Sequence, residues 1–303
     1  MLHRGGAASP AIAIEEIARP KPARLEAVLR MARQKPLGAA SALIILALVF
    51  VAIFGTFIAP YSPYTMHDDA RLVSPGARFW FGSDTLGRDV LSRIIYGARI
   101  SLWVGVVSVG LGTSLGTVLG LICGFFEGKV DMVVQRIMDS LMAFPMLVLA
   151  LAIMAVLGQS ITNVMLAISI VIIPGASRIV RGTVLSVKQN PYVDAARAIG
   201  CDDLRILSRH ILPNVLAPII IIASVQLGGA ILTEASLSFL GMGTPPPTPS
   251  WGGMLTGEGR RNLEKAPYLA VFPGMAISLA VMGFNLMGDA LRDIWDPRLR
   301  GTR

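Results

Sequence analysis

The most constraining feature of this chain is a set of long apolar runs that contain no charged residue. Four such runs cover residues 37–59, 100–126, 211–233 and 267–288. An α-helix rises about 1.5 Å per residue and the hydrocarbon core of a bilayer is about 30 Å thick, so a run of about 20 apolar residues can cross a membrane. The four runs therefore predict four membrane-spanning helices.

A fifth charge-free run, 140–177, is too long for a single crossing. As one helix it would measure about 57 Å, nearly twice the thickness of the bilayer core. The turn-forming residues Gly158, Gln159 and Ser160 cluster inside this run and predict a break there. We therefore expect six transmembrane helices in an all-α integral membrane protein.

Composition and charge agree with a membrane protein. Only 15% of the 303 residues are charged, whereas soluble domains carry about 25%. The net charge of +8 forms no basic stripe interleaved with aromatic residues, so no nucleic-acid partner is expected. With the amino end inside, 19 of the 27 Lys and Arg residues lie on the inner side, which predicts that both termini are cytoplasmic. A cleaved signal peptide is the alternative for the first run, although a run this long that starts after residue 36 favours an anchor.

The spans divide the chain into four predicted segments. These are a flexible cytoplasmic tail (1–34), the first helix with an outer segment (35–97), a transmembrane domain of five helices (98–297) and a carboxyl-terminal tail (298–303). The outer segment 60–99 is long for a connector and predicts a small structured element, whereas function is expected to concentrate in two other connectors. One is an inner segment, 178–210, and the other is an outer segment rich in Pro and Gly, 236–266.

The inner segment predicts two short helices. Asn190 is placed to cap a helix whose first residue is Pro191, and Asp194 lies in its first turn, where the positive end of the helix dipole favours a negative charge. Gly200 predicts a left-handed end for this helix. One of the two following aspartates starts a second short helix, and Pro213 ends it where the fifth span begins. The alanines of the first helix predict a nearly bare leading surface.

This inner segment resembles the Glu-Ala-Ala loop of ABC importer permeases. The match is carried by Asp194, Ala195, Ala196, Gly200, Leu212 and Pro213. Two positions depart from the family pattern, since Asp194 replaces Glu and His210 stands where Ile is usual. The resemblance implies that residues 190–213, hereafter the coupling loop, dock into a groove on a separate ATPase subunit.

Three further stretches resemble the second permease type of the dipeptide, oligopeptide and nickel importer branch of that family. They are Phe81-Gly82-Ser83-Asp84 with the residues up to Arg99, Leu237-Ser238-Phe239-Leu240-Gly241 with those up to Gly252, and Gly288-Asp289 with those up to Leu299. The resemblance covers residues 35–303 and implies a type I ABC importer transmembrane domain in the cytoplasmic membrane. It also implies a companion permease that forms a heterodimer with this chain, two ATPase subunits and an extracytoplasmic solute-binding protein.

Other residues suggest packing or a pathway. Gly112, Gly116, Gly120 and Gly124 form a ladder at a spacing of four, which lets another helix approach closely, either within this chain or at a seam with a partner or pathway. Glu234 and Asn285 are candidates for the translocation pathway because polar groups at membrane depth are costly. The alternative for Glu234 is a packing or interfacial carboxylate paired with an Arg.

The sequence contains no pattern for catalysis in this chain. It has neither a G-x-S-x-G elbow nor an H-E-x-x-H motif, and the stretch from Gly124 to Lys129 is one residue too short for a phosphate loop, with Val130 where Ser or Thr is needed. Its three His and two Cys residues lie far apart, so no metal site is expected. ATP and Mg are therefore expected only on the partner subunits.

We expect the chain to be a permease subunit that imports peptides or peptide-like solutes. The same machinery could carry nickel chelates, glutathione or oligosaccharides. A membrane scaffold that moves no solute is the alternative from another class.

Overall fold

The structure, a computed structural model, describes residues 36–256 and 262–295. The regular secondary structure of these residues is helical, apart from an isolated β-bridge between Ser83 and Asp89, and the longest non-helical segment is 59–89. The helices are α1 (Pro36–Ile58), α2 (Val90–Phe126), α3 (Gly128–Met142), α4 (Met146–Leu157), α5 (Ile161–Lys188), α6 (Pro191–Ala198), α7 (Asp203–Ile206), α8 (Leu212–Phe239), α9 (Trp251–Leu255) and α10 (Tyr268–Trp295). The predicted tails, 1–34 and 298–303, lie outside the described residues, as does the motif 296–299.

In the described part of the chain, five helices are long and apolar enough to cross a membrane. They are α1, α2, α5, the continuous helix Asp203–Phe239 and α10. The pair α3 and α4 is bent by 93° and makes a sixth span if it is counted as one. The break predicted at residues 158–160 is confirmed between α4 and α5, where Gly158 has a φ of 79°.

The third span differs from the expectation of a straight helix starting at residue 140. It starts at Gly128 and is broken at Pro145, whose ring cannot continue the helix before it. The second piece, α4, has 12 residues and a length of about 18 Å, so it cannot cross a bilayer by itself. If α3 and α4 together form the sixth span, the bend lies inside it.

Two further boundaries differ from those expected. Helix α2 starts at Val90, since the Asp89 carboxylate caps it by accepting a hydrogen bond of 2.8 Å from the Ser92 N–H, so the predicted segment boundary at 97/98 falls within a continuous helix. Pro213 does not end the second loop helix. A π-helical turn, Leu207–Ile211, joins α7 to α8, and Pro213 lies in the first turn of α8, where a missing N–H is tolerated.

The core lies where α2, α5, α8 and α10 pack together. One apolar cluster joins α2, α4, α5 and α8, and a second joins α2, α8, α9 and α10 with side chains of α1 against it. A third cluster lies beneath the coupling loop at one end of the bundle. At the opposite end, residues 59–89 form a folded segment between α1 and α2, hereafter the cap.

Candidate coupling loop, cap and packing seams

Helix α6 ends as the sequence predicts. Gly200 has a φ of 82°, a left-handed conformation that favours glycine. Its N–H donates to the Arg197 carbonyl at 2.9 Å, and the Cys201 N–H donates to the Ala196 carbonyl at 3.1 Å. These two bonds form a Schellman motif, which satisfies carbonyls that a helix end leaves free.

The start of α6 agrees with the prediction in position but not in bonding. Asn190 is the N-cap, Pro191 is the first helical residue and Asp194 lies in the first turn. The Asn190 side chain makes no capping bond and donates instead to the Val187 carbonyl at 2.9 Å. This bond ties the loop back to the end of α5.

The inner face of the coupling loop is fixed to the spans by apolar packing. Val193 and Ile206 are fully buried and Ala196 nearly so. They belong to one cluster together with side chains of α2, α5 and α8. The predicted bare alanine surface therefore needs correction, because Ala196 points inward while Ala195 remains exposed.

Charged contacts hold the end of α5 beside the turn between α2 and α3. The Lys188 ammonium donates to the Phe125 carbonyl at 2.6 Å and to the Glu127 carboxylate at 2.7 Å. The Arg181 guanidinium makes two hydrogen bonds of 2.5 and 2.6 Å with the Asp131 carboxylate. This bidentate geometry orients both side chains.

The exposed face of the coupling loop carries two large apolar side chains. Ile199 is 81% exposed and Leu204 is 73% exposed, on either side of Gly200. The Asp194 side chain is also exposed, Pro213 is exposed and Leu212 is half-buried. Sequence reasoning missed Ile199 and Leu204, although two apolar residues within a short polar segment were a signal for them.

The glycine ladder packs against α5 of the same chain. A Cβ on each of Gly112, Gly116, Gly120 and Gly124 would lie 2.6–2.7 Å from an atom of α5. Real Cβ atoms do not come so close to other heavy atoms, so the two backbones are in direct contact. Of the two roles open from the sequence, the described contacts correspond to packing within the chain.

Glu234 is buried among helices rather than beside an open pathway. It has no exposed surface, and its carboxylate accepts hydrogen bonds from Ser101 at 3.1 Å and Ser238 at 2.8 Å. The Ser238 hydroxyl in turn accepts from the Thr244 N–H at 3.3 Å. The described hydrogen-bond partners of the Glu234 carboxylate are serines rather than the Arg of the packing alternative. Asn285 is exposed on α10.

A buried ion pair organises the cap. The Asp84 carboxylate accepts from the Arg88 Nε at 2.7 Å and from the backbone N–H groups of Leu86 and Arg88 at 2.9 Å. Both side chains of the pair are less than 10% exposed. Elsewhere in the cap, the hydrogen bond from Arg78 lowers the pKa of the exposed Asp69 carboxyl, and the pKa of Arg78 is raised in return.

Long-range contacts join the cap to the rest of the bundle. The Tyr268 hydroxyl, at the start of α10, lies 3.0 Å from the Ser83 carbonyl. The Trp251 indole N–H donates to the Ile94 carbonyl at 3.0 Å. Trp251 is therefore a buried packing residue that holds α9 against α2.

Fold and loop together define a class of protein, a multi-pass helical membrane subunit with a short helical element packed on one end of its bundle. Within the described residues, no group of His, Cys, Asp or Glu side chains could hold a metal ion.

Comparison with known proteins gives the family. Residues 116–301 match the binding-protein-dependent transport system inner membrane component, and residues 25–75 match the N-terminal TM domain of oligopeptide transport permease C. The chain is 46% identical, over 90% of both chains, to the glutathione transport system permease protein GsiD of Escherichia coli O6:K15:H31 (strain 536 / UPEC). It has the same identity and coverage with the GsiD proteins of Shigella sonnei (strain Ss046) and Escherichia coli O157:H7.

The chain therefore belongs to the binding-protein-dependent transport system inner membrane component family of ABC importer permeases. It is a non-catalytic, multi-pass permease subunit of the inner membrane, and it works with separate ATPase and solute-binding partners. The predicted fold class, the type I ABC importer transmembrane domain, is confirmed.

Proposed function

We propose that this permease imports small peptide-like solutes, with glutathione as the first candidate. The observation that carries the proposal is the 46% identity over 90% of the chain to permeases named for glutathione transport. Glutathione is itself a modified tripeptide, so it belongs to the chemical class inferred from the sequence. Nickel chelates and oligosaccharides, the other solutes considered, have no comparable support among these relatives.

In the proposed assembly, this chain pairs with a companion permease and contacts one of two ATPase subunits through its coupling loop. The docking residues are Asp194, Ala195, Gly200, Ile199 and Leu204. Ala196 packs on the inner face of the loop, and Leu212 and Pro213 lie in the first turn of α8. These three residues position the docking residues. Two features support this role: the exposed apolar side chains at the tip and the packing of the inner face onto α2, α5 and α8.

The transport cycle follows from this connection. ATP binding closes the ATPase pair, the coupling loops are carried together, and the packed spans rock so that the pathway opens to the other side; hydrolysis then resets the assembly. The glycine ladder favours rigid-body motion, because α2 and α5 are in backbone contact and cannot slide independently.

We further propose that both termini and the coupling loop are cytoplasmic and that the cap faces the solute-binding protein. The distribution of Lys and Arg supports this orientation. The cap end also contains a cavity of about 430 Å³, bordered by Asp84, Arg88 and Thr244 among others, and the Thr244 hydroxyl is buried without a hydrogen-bond partner in the described structure.

The test is transport by the complete assembly in proteoliposomes. The complex should take up radiolabelled glutathione or trialanine only when its solute-binding protein is outside and ATP is inside. Uptake that is driven by ATP but is specific for a nickel chelate or an oligosaccharide would refute the proposed solute. A complex that hydrolyses ATP and moves none of these solutes would favour the scaffold.

A further inference from the structure

Three structural features meet at one cavity of about 270 Å³, which is open to the surface of this chain beside the exposed side chain of Phe144. The first is the bend between α3 and α4, with 15 helical residues before it and 12 after it. The second is Pro174-Gly175 in α5, and the third is Gln226, which is 14 residues from the start of α8. Gln226 lies in the charge-free run 211–233, about 10 Å from its nearer end at about 1.5 Å per residue, and therefore within the hydrocarbon core if this run spans the membrane.

Gln226 is the polar side chain of this cavity. It is half-buried, and its amide has no hydrogen-bond partner among the described residues. Gly175 and Gly229 leave room around it, since a Cβ on either would lie 3.9 Å from a Gln226 amide atom. By contrast, the nearby Ser224 hydroxyl donates to the Ile220 carbonyl of its own helix at 2.8 Å.

An unpaired amide at this depth requires a polar surrounding. Polar groups in the hydrocarbon core are costly, and in membrane proteins they face other helices or a water-filled cavity.

We propose that Gln226 lines the translocation pathway and forms hydrogen bonds with amide groups of the solute as it crosses the membrane. This inference rests on the proposed function. A glutamine amide offers both donors and an acceptor, so it can pair with a peptide group in the same way that peptide groups pair with each other. The cavity is open in this single chain, and the companion permease would close its other side.

The first test is transport by the complete complex carrying Gln226→Leu, which keeps the approximate size and removes the hydrogen bonds. Uptake of glutathione and trialanine should fall at least five-fold, while ATPase stimulation by the loaded binding protein is retained. Gln226→Asn, which keeps the amide, should recover part of the rate. Ser224→Ala is the matched control and should transport normally, since Ser224 bonds only to its own helix among the described residues.

The second test measures water access directly and does not depend on transport. Gln226→Cys in nanodisc-embedded complex should react with a charged, membrane-impermeant maleimide. Leu46→Cys, on the exposed apolar face of α1, should not react, and the unmodified chain gives the background. If Gln226→Cys is as unreactive as Leu46→Cys, the residue is covered by protein or lipid and the proposal is overturned.

The two tests separate this inference from the proposed function. If the unmodified complex fails to import either probe, the proposed solute class is wrong, and the maleimide reaction still decides whether Gln226 lies in a pathway. If the unmodified complex imports them and Gln226→Leu does so at the normal rate, only the role of Gln226 is refuted. If Gln226→Leu prevents assembly, the reactivity of the cysteine variant decides the matter.

Discussion

Gly116 on α2 lies so close to Ala176 on α5 that a Cβ on Gly116 would be 2.6 Å from the Cβ of Ala176. The carbonyl oxygen of Ile173, also on α5, would be 2.9 Å from this added Cβ. No side chain separates the two helices at this level, so their relative position depends on the absence of one methyl group.

Gly116→Ala should therefore destabilise the chain. Overpacking a tight contact costs about 1–3 kcal/mol, even though alanine is the better helix former. Gly110→Ala on the same helix is the matched control, because a Cβ there meets nothing within 4 Å and should be neutral or stabilising. Thermal unfolding of the purified chain in detergent distinguishes the two. Equal melting temperatures for both variants would mean that the seam is not rigid.

Gly200→Val should uncouple the ATPase without disturbing insertion into the membrane. The left-handed backbone of Gly200 penalises any side chain by about 1–2 kcal/mol, although a Cβ there has free space. Gly182→Val is the matched control, because it adds the same side chain at a helical glycine where a Cβ also meets nothing within 4 Å. It therefore lacks the backbone strain expected at Gly200. Membrane levels of both variants should be normal. Only Gly200→Val should lose ATPase co-purification and uptake, and normal uptake by it would refute the coupling role.

Ile199→Glu and Leu204→Glu should each weaken binding of the ATPase subunit at least ten-fold. Both side chains are largely exposed at the loop tip, and a buried charge in a docking groove would be left without a partner. Leu263→Glu changes an exposed leucine in the connector between α9 and α10 and should leave binding unchanged. Pull-down of the ATPase from detergent-solubilised membranes measures the effect. Retained binding by both loop variants would place the docking surface elsewhere.

Asp84→Asn should destabilise the cap by about 3–5 kcal/mol, the range for breaking one side of a buried ion pair. The control is Asp68→Asn, which removes an exposed pair with Arg71 and should have little effect. Limited proteolysis of right-side-out membrane vesicles, followed by mass spectrometry, reports cleavage in the cap. Equal resistance of both variants would show that the buried pair does not hold the cap together.

The proposed orientation predicts opposite results for two reporter fusions. A fluorescent protein at the carboxyl terminus should fluoresce, because it folds in the cytoplasm, and a phosphatase at that position should be inactive. A phosphatase inserted near Thr248, in the connector after α8, should be active because that connector is expected outside. An active phosphatase at the carboxyl end would reverse the orientation or change the number of spans.

The sequence alone predicted the features that depend on residues close to one another in the chain. Charge-free runs predicted where most helices lie, because transfer of a segment into lipid depends on its own side chains and backbone. The break at Gly158 and the left-handed Gly200 were likewise predicted by the turn chemistry of single residues. Helix boundaries differed from the ends of the charge-free runs. The N-cap residue Asp89 and the π-helical turn before Pro213 extend two helices beyond their apolar runs.

Only the tertiary structure decided which surfaces meet. The sequence left open both the partner of the glycine ladder and the choice between a pathway and a packing role for Glu234. The fold packs the ladder on α5 and buries Glu234 among serines. Gln226 escaped notice because it is one amide in an apolar run, and its significance comes from the bend and the glycines that the fold brings beside it. Hydropathy is a property of a segment, whereas contacts between residues distant in the chain depend on how the helices pack. The sequence alone therefore determined the class of this protein but not which helix surfaces contact each other.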